Sequence, residues 1–476
     1  MRRTARVTGT LCAVLGLGWT GLWFAGSYAA DEGLVRALDD AAAAGMDVSL
    51  GARRFTGFPF ALRAELADLA LRDPSSGAEL HFPRLTGGVA VDDPTAVVTR
   101  LPNQFTMRLP VAGRMVPIEV EAEDAVLRAT GFADPAPRLE IRAARLLFVH
   151  AEAADAPALA LEMIGAEGTL TAPAPDGSGA AKGQLRLDRL DWAGQSGRPA
   201  LVAEGNLDGV ALTFGAKPAS PGAATELDLA VTAVRGRGRV VPPAESAPRR
   251  IDWEVTTLSA TLEFANARAR AGLASERTRV SLPAADGPAT ALIADAAEAR
   301  ADLPLNTEHA PAPVAASIRL ARLDGDAAFW SAADPDDVLP REPLGISLDL
   351  SGDVRPQAPG APRTRLPGTA MSLPFAIGTL RLDGAEISGL GARATASGVL
   401  DLASGNPPQE GRLGVAVEGA GALLGALRRT QLVPLELVQA AGLALFYFER
   451  SAVPGRLTTE LRLDGGRLFL NGKPIR

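Results

Sequence analysis

Hydrophobic and polar side chains alternate with a period of two through most of the chain after Gly45. The pattern is clear at Leu227–Ala233, Ile346–Leu350, Leu413–Val417, Val116–Glu121 and Val255–Phe264. Such alternation is typical of strands with one apolar and one solvated face, which usually form antiparallel sheets. We therefore expect a mainly β fold (β-rich α+β), with an elongated, curved antiparallel sheet. Its loops are predicted where Pro, Gly and Ser cluster, at Ala172–Gly183, Ala216–Ala224, Val241–Arg249, Arg355–Gly368 and Ser404–Gly411.

Two regions have helical composition instead. Asp31–Ala44 presents an apolar face, and Gly45 is placed to end that helix because glycine adopts the left-handed cap conformation without steric cost. Ala420–Phe448 is apolar and interrupted by Pro434, which predicts a C-terminal helix pair packed on the sheet. Two final strands are predicted at Leu457–Leu463 and Arg467–Leu470.

The N-terminus has the pattern of a membrane-directed segment. Three arginines among the first six residues precede Val7–Ala30, a run without charge that is long enough to span a bilayer. We favour a retained anchor, although Ser27 and Ala29 would also fit the small residues of a signal-peptide cleavage site. Residues 1–30 are thus an anchor or signal segment, and residues 31–476 are expected to form one β-rich domain in the periplasm.

Composition narrows the possible partners. The net charge of −7 is spread along the 476 residues without a basic block, which argues against nucleic acid as a partner because phosphate neutralisation requires a positive patch. The one cysteine, Cys12, excludes a disulfide within the chain. The nearest feature to a basic cluster is Arg235–Arg239, which we interpret as a solvated edge strand, with docking of an anionic head group as the alternative.

We find no catalytic, metal or cofactor motif. His81, His150 and His309 are too far apart in sequence to suggest a zinc site, and no Gly-x-Ser-x-Gly or P-loop motif occurs. Gly16-x-Gly18-x-x-Gly21 matches the dinucleotide-binding fingerprint by chance, since it lies in the apolar N-terminal run and opens no βαβ unit. The paired acids Asp92-Asp93 and Asp336-Asp337 stand beside prolines and are expected to cap or solvate turns, with a weak Ca²⁺ site at Asp334–Asp337 as the less favoured alternative. The chain is therefore not predicted to be an enzyme, and no cofactor is expected.

A Leu-Arg-Leu-Asp sequence recurs at Leu185–Asp188, Leu380–Asp383 and Leu461–Asp464, with a looser copy at Ile318–Asp324. In three of these four places a glycine follows the aspartate. Alternation followed by Asp-Gly is typical of a strand that runs into a turn. We therefore predict a repeated strand–turn unit.

Two short motifs resemble a known family. Gly57-Phe58-Pro59-Phe60 precedes the strand Leu62–Leu66, and the chain closes with Leu461–Gly472. These sequences resemble the domain-of-unknown-function 2125 family of alphaproteobacterial envelope proteins and, more widely, AsmA-like proteins. The resemblance implies one N-terminal membrane helix, a long curved sheet in the periplasm, and an association with lipid movement or outer-membrane assembly.

Three functions remain as hypotheses. The first is a protein that binds or conducts phospholipid or another envelope lipid along an apolar sheet face, with the inner membrane as its anchor. Phe58, Phe60, Leu62 and Leu66 are candidates for a lipid groove or for core packing, and for the two phenylalanines we favour core packing. The second is a structural or assembly factor that contacts envelope proteins. The third, an enzyme, has no residues to support it.

Overall fold

The computed structural model describes residues 26–36, 38–43, 45–58, 61–90, 93–111, 114–131, 137–150, 158–171, 180–196, 201–217, 226–241, 250–283, 289–304, 311–356, 364–365, 372–373, 375–402, 410–430, 433–446, 448–450 and 455–474. Its internal contacts divide the chain into two units, Met1–Lys217 and Pro218–Arg476.

The first unit begins with a helix, α1 (26–36 and 38–43), that ends as predicted at Gly45, whose φ of +91° is left-handed. Twelve strands follow: β1 Asp47–Ser49, β2 Ala52–Thr56, β3 Ala61–Arg72, β4 Glu79–Ala90, β5 Asp93–Arg100, β6 Gln104–Val111, β7 Arg114–Glu123, β8 Val126–Thr130, β9 Arg138–His150, β10 Ala158–Thr171, β11 Ala181–Ser196 and β12 Leu201–Lys217.

These strands form an antiparallel meander in chain order. β1 and β2 both pair with β3, so they are two parts of one interrupted strand. β5 and β6 are likewise two parts of one interrupted strand, since both pair with β4. β7 and β8 form the next interrupted strand: β7 pairs with β6, β8 pairs with β5, and both pair with β9. From β9 to β12 each strand pairs along nearly its whole length with the next.

The second unit is also an antiparallel meander. Its strands are β13 Glu226–Val241, β14 Ile251–Ala265, β15 Arg268–Leu282, β16 Thr290–Pro304, β17 Ala312–Gly325, β18 Leu344–Pro356, β19 Thr364–Arg365, β20 Ser372–Leu373, β21 Phe375–Gly389, β22 Ala392–Asp401, β23 Glu410–Glu418, β24 Glu449–Arg450, β25 Arg456–Asp464, β26 Arg467–Leu470 and β27 Lys473–Pro474. Neighbours in the order β13–β18, β21, β22, β23, β25, β26, β27 are paired, while β19 and β20 form a separate hairpin.

Three helices interrupt this second meander: α2 (Ala327–Ala333), α3 (Ala420–Leu427) and α4 (Leu435–Leu445). The predicted helix pair is confirmed, and Pro434 stands at the start of α4. Only part of it lies on the sheet: α3 contacts β22, whereas α4 packs mainly against α3, where Val438 is 1% exposed. The final strands are also where the alternation predicted them.

A mainly β, antiparallel fold is therefore confirmed. The repeated strand–turn unit is only partly correct. Leu461–Asp464 does end β25 at a turn, but Leu185–Asp188 and Leu380–Asp383 lie in the middle of β11 and β21. At Asp383 the ladder registers shift on both sides of β21, so that Asp-Gly belongs to a bulge rather than a turn.

The predicted membrane segment is Val7–Ala30, and the structure describes only residues 26–30 of it. Within the described ranges, none of the helices has the length and apolar character needed to cross a bilayer. The expected anchor and cleavage site remain predictions.

Candidate functional site: a creased apolar sheet face

A line of left-handed residues crosses the sheet of the first unit at the middle of its strands. Asp68, Asp124, Gly165 and Gly209 have φ values between +50° and +63°. They lie in or between strands of the meander, and the strands remain hydrogen-bonded to their neighbours on both sides of each of these residues. The registers place Asp124, Gly165 and Gly209 on one line, with Ala144 of β9 and Asp188 of β11 between them. We call this line the crease.

The second unit has a corresponding crease at Thr257, Ala296 and Arg322, with φ values of +52°, +64° and +52°. These residues lie in β14, β16 and β17. A positive φ is rare for residues other than glycine, and for β-branched Thr257 it is an outlier that the surrounding strands must hold in place.

At the crease the alternation of side chains slips by one residue, so apolar side chains on both sides of it face the same way. In β10 the apolar set is Leu159, Leu161 and Met163 before the crease, then Ala166, Gly168 and Leu170 after it. The register pairs this set with the apolar residues of β9 and β11 throughout, for example Met163 with Leu146 and Leu190. A strand without the slip would turn one half of this set toward solvent.

Burial shows which side of the crease is the inside. The apolar residues immediately beside it are 1–9% exposed; in the first unit they are Leu66, Leu69, Ala122, Ala125, Ala143, Leu146, Ala166, Leu187 and Val210, and in the second Ala233, Val255 and Ala294. On the other face, the side chain of Asp68 at the crease is 72% exposed and Val234 is 70% exposed. We infer that the strands bend toward the apolar face, and we call the resulting concave surface in each unit the apolar groove.

Away from the crease the same face is only partly covered. Leu159 in the first unit is 51% exposed, and Leu273 and Ile318 in the second are 51% and 45% exposed. Each of them belongs to the apolar set of its strand by register. The groove therefore has a buried floor and apolar walls that remain accessible to solvent.

Gly165 shows how the crease is built locally. A Cβ on this glycine would lie 2.1 Å from Oδ2 of Asp188, because the carboxylate of the facing strand covers the glycine backbone. Glycine is therefore favoured here both by its left-handed φ of +63° and by the close approach of the aspartate.

The opposite face carries ion pairs between adjacent strands. Arg145 bonds Glu162, and in the second unit Nε of Arg268 donates to Asp302 at 2.8 Å. The hydrogen bond from Arg268 outweighs partial burial and holds the pKa of Asp302 below its ordinary value, while the bond to Glu162 raises the pKa of Arg145. Each solvated ion pair of this kind adds little to the free energy of unfolding, but together the pairs keep this face of the sheet polar and hydrated.

Helix α1 lies over one end of the apolar groove in the first unit. Ala30 and Leu34 of α1 face the sheet across a cavity of about 260 Å³. Its sheet side is lined by Phe55, Leu62, Ala64, Leu66, Leu85, Gly87, Gly88, Val89, Val97 and Thr99, nearly all of which belong to the apolar face by register. The cavity is slightly smaller than typical sites for drug-sized ligands, and it has almost no polar lining.

Only some of the residues predicted to form a lipid groove line this cavity. Leu62 and Leu66 line the cavity, and Leu66 also belongs to the groove floor. Phe58 is 50% exposed in the turn after β2 and is not among the lining residues. Phe60 lies outside the described residues.

Polar groups considered in the sequence have other surroundings. The buried carboxylate of Asp334 accepts hydrogen bonds from the backbone N–H groups of Val338 and Leu339, so it caps the turn in which the predicted pair Asp336-Asp337 is exposed. Burial raises its pKa, but those bonds and Arg341 outweigh that effect and leave the pKa lowered. No group of three or more His, Cys, Asp or Glu side chains that could hold a metal occurs among the described residues.

His150 is a buried polar residue on the apolar face. It is 8% exposed at the end of β9, with Nδ1 2.8 Å from the carbonyl oxygen of Pro117, and it faces Leu159 across the ladder. Arg235, Arg237 and Arg239 lie on the charged face of β13, opposite Thr256, Glu254 and Asp252. Neither feature forms part of the groove floor.

Sequence reasoning missed the crease itself. The signal was present as a change of phase: in β13 the apolar positions run Leu227, Leu229, Val231 and Ala233, then resume at Gly236, Gly238 and Val240 after a step of three. Two glycines in the second set obscured its continuation, so the region was read as an alternation followed by a basic cluster.

Comparison with known proteins gives a family. No curated protein and no solved structure matches the chain. A family model described as an uncharacterised protein conserved in bacteria matches residues 23–272 and 243–476, which together include nearly the whole chain. The protein therefore belongs to the DUF2125 family of uncharacterised conserved bacterial proteins.

Proposed function

We propose that the protein is a non-enzymatic envelope protein that binds lipid through its apolar groove, holding acyl chains while the charged face stays in water. The observation that carries the proposal is the slip at the crease. It brings the apolar side chains of both strand halves to one face of the sheet, which remains half-exposed at residues such as Leu159 and Leu273. The resemblance to AsmA-like envelope proteins leads to the same proposal, including an inner-membrane anchor and a periplasmic location.

The energetics favour a long apolar ligand over a small one. Each buried methylene contributes ~0.8 kcal/mol, so about ten methylenes against the groove would contribute about 8 kcal/mol before the cost of ordering the chain. An acyl chain has the flexibility to follow the groove floor, and its head group can remain in solvent at the groove's edge. The 260 Å³ cavity beneath α1 is a partly enclosed, apolar part of this surface and is the expected position of one chain end.

The test is native mass spectrometry with lipid extraction on the full chain purified from its own envelope. Leu159→Asp and Leu273→Asp place a charge on the groove wall of each unit, and both residues are already 51% exposed, which limits damage to folding. Val98→Asp and Val399→Asp are matched controls, since these valines are both 40% exposed but lie on the charged face.

Co-purified phospholipid, or another lipid with acyl chains, that is retained in the controls and lost from the groove variants would support the proposal. A protein free of lipid from the outset, or equal loss in all four variants, would contradict it. That result would favour the second hypothesis, an assembly factor that acts through protein contacts in the periplasm.

A further inference from the structure

The C-terminal helix pair exposes a stripe of large apolar side chains that the groove does not use. Leu435, Leu443 and Phe446 are 51%, 65% and 85% exposed. At about 100° per residue, the three positions fall within about 80° of one another around α4, so they form one side of the helix. On other sides of α4, Val438 is 1% exposed and Leu437 is 60% exposed, and α4 contacts α3.

The charges around this stripe are few and mostly positive. α3 contains no charged residue, and α4 contains only Glu436. Two exposed arginines, Arg428 and Arg429, directly follow α3 at the end of the helix pair. An apolar stripe beside exposed arginines is complementary to an anionic lipid surface, where acyl chains lie beneath negatively charged head groups.

Helix length decides how such a surface would be engaged. The 11 residues of α4 extend about 16 Å, roughly half of the ~30 Å needed to cross the hydrocarbon core. The helix can therefore lie in the interface but cannot span it. A second copy of the chain is a poorer partner, because its helix pair offers only Glu436 to pair with the two arginines.

We propose that α4 docks on the surface of an anionic bilayer, with Leu435, Leu443 and Phe446 inserted at the level of the acyl chains and Arg428 and Arg429 at the head groups. This contact is separate from the apolar groove and does not depend on lipid being bound there. It would give the second unit its own membrane contact, independent of the predicted N-terminal anchor.

The experiment uses the full chain with an environment-sensitive fluorophore. Cys12→Ser removes the native thiol, and Phe446→Cys provides the labelling position; Val399→Cys, exposed on β22 in the same unit, is the control. Labelled proteins are mixed with vesicles of phosphatidylcholine alone or with 30% phosphatidylglycerol, with and without nitroxide-bearing lipids. We expect a blue shift and quenching at position 446 in anionic vesicles, and neither at position 399.

Two further variants make the result decisive. Arg428→Gln with Arg429→Gln should weaken insertion about 30-fold, at ~1 kcal/mol per arginine near an anionic surface. Leu443→Asp should abolish insertion without disturbing the fold, because Leu443 is exposed. No quenching at position 446, or quenching equal to that at position 399, would overturn the proposal, as would a blue shift that grows with protein concentration in the absence of vesicles, since that would indicate self-association.

Discussion

Replacing Gly165 by alanine places a Cβ at the centre of the crease in the first unit. Alanine must then adopt a φ of +63°, and its Cβ must displace the carboxylate of Asp188, which would otherwise be 2.1 Å away. The left-handed conformation costs an L-residue ~1–2 kcal/mol. Displacement of the flexible aspartate side chain adds to this, but less than a contact with backbone would.

Gly194 in β11 provides the control for this substitution. A Cβ there meets nothing closer than 3.7 Å, and its φ is not in the left-handed region. Alanine at such a position usually stabilises by ~0.4–1 kcal/mol because it reduces the entropy of the unfolded chain. The two alanine variants should therefore differ by about 2 kcal/mol in the free energy of unfolding of the first unit.

The assay is urea denaturation, in which hydrogen-exchange mass spectrometry on peptides from β10 and β11 monitors the unfolding. With a urea dependence of ~2 kcal/mol per molar, the transition midpoints of Gly165→Ala and Gly194→Ala should differ by about 1 M. Adding Asp188→Ala to Gly165→Ala should recover only the part of the loss that comes from the contact. Equal midpoints for the two single variants, or full recovery in the double variant, would show that the crease does not depend on a left-handed residue.

Three other outcomes follow from the structure. Leu187→Ala at the groove floor, 5% exposed, should cost ~2–5 kcal/mol in urea denaturation, whereas Leu159→Ala on the wall should cost less than ~1 kcal/mol; similar costs would contradict a buried floor. Hydrogen bonds from Ser75 and Ser76 lower the pKa of Asp73 from 3.8 to about 2. These bonds therefore stabilise the β3–β4 turn fully above about pH 4, and the stabilisation is lost as the pH falls through 2. A carboxyl titration by NMR should give that midpoint, and alanine at both serines should raise it toward 3.8. Finally, Leu62→Asp should remove lipid from the cavity beneath α1, whereas Phe58→Asp should not, as measured by the lipid retained per chain; the reverse result would place the site at the turn instead.

Local patterns in the sequence were sufficient to predict several strands and the boundaries of two helices. Alternation located β13, β18 and β23, and Gly45 and Pro434 marked a helix end and a helix start, because these features depend on near neighbours in the chain. The meander order also follows from short connections between consecutive antiparallel strands.

The crease could not be predicted in the same way. Asp68, Thr257 and Arg322 adopt left-handed φ values although nothing in their residue types requires it, so the conformation is imposed by neighbouring strands rather than by local preference. The same non-local effect made the Leu-Arg-Leu-Asp of β11 resemble a strand that ends at a turn. Consequently, Leu62 and Leu66 were selected from a motif, while the groove to which Leu66 contributes was found only from register and burial.

Photo-cross-linking along β10 in the native envelope tests the central claim most directly, because one series of positions examines both the slip and the ligand. A photoreactive phenylalanine analogue is placed at each position from Leu159 to Leu170 in turn, and adducts are identified by mass. The account predicts lipid adducts at 159, 161 and 163 before the crease and at 170 after it, with none at Glu162 or Glu167 on the charged face; Ala166 and Gly168 are buried and are not expected to react. Adducts that alternate without a change of phase at Gly165, or that are absent from every position, would contradict it.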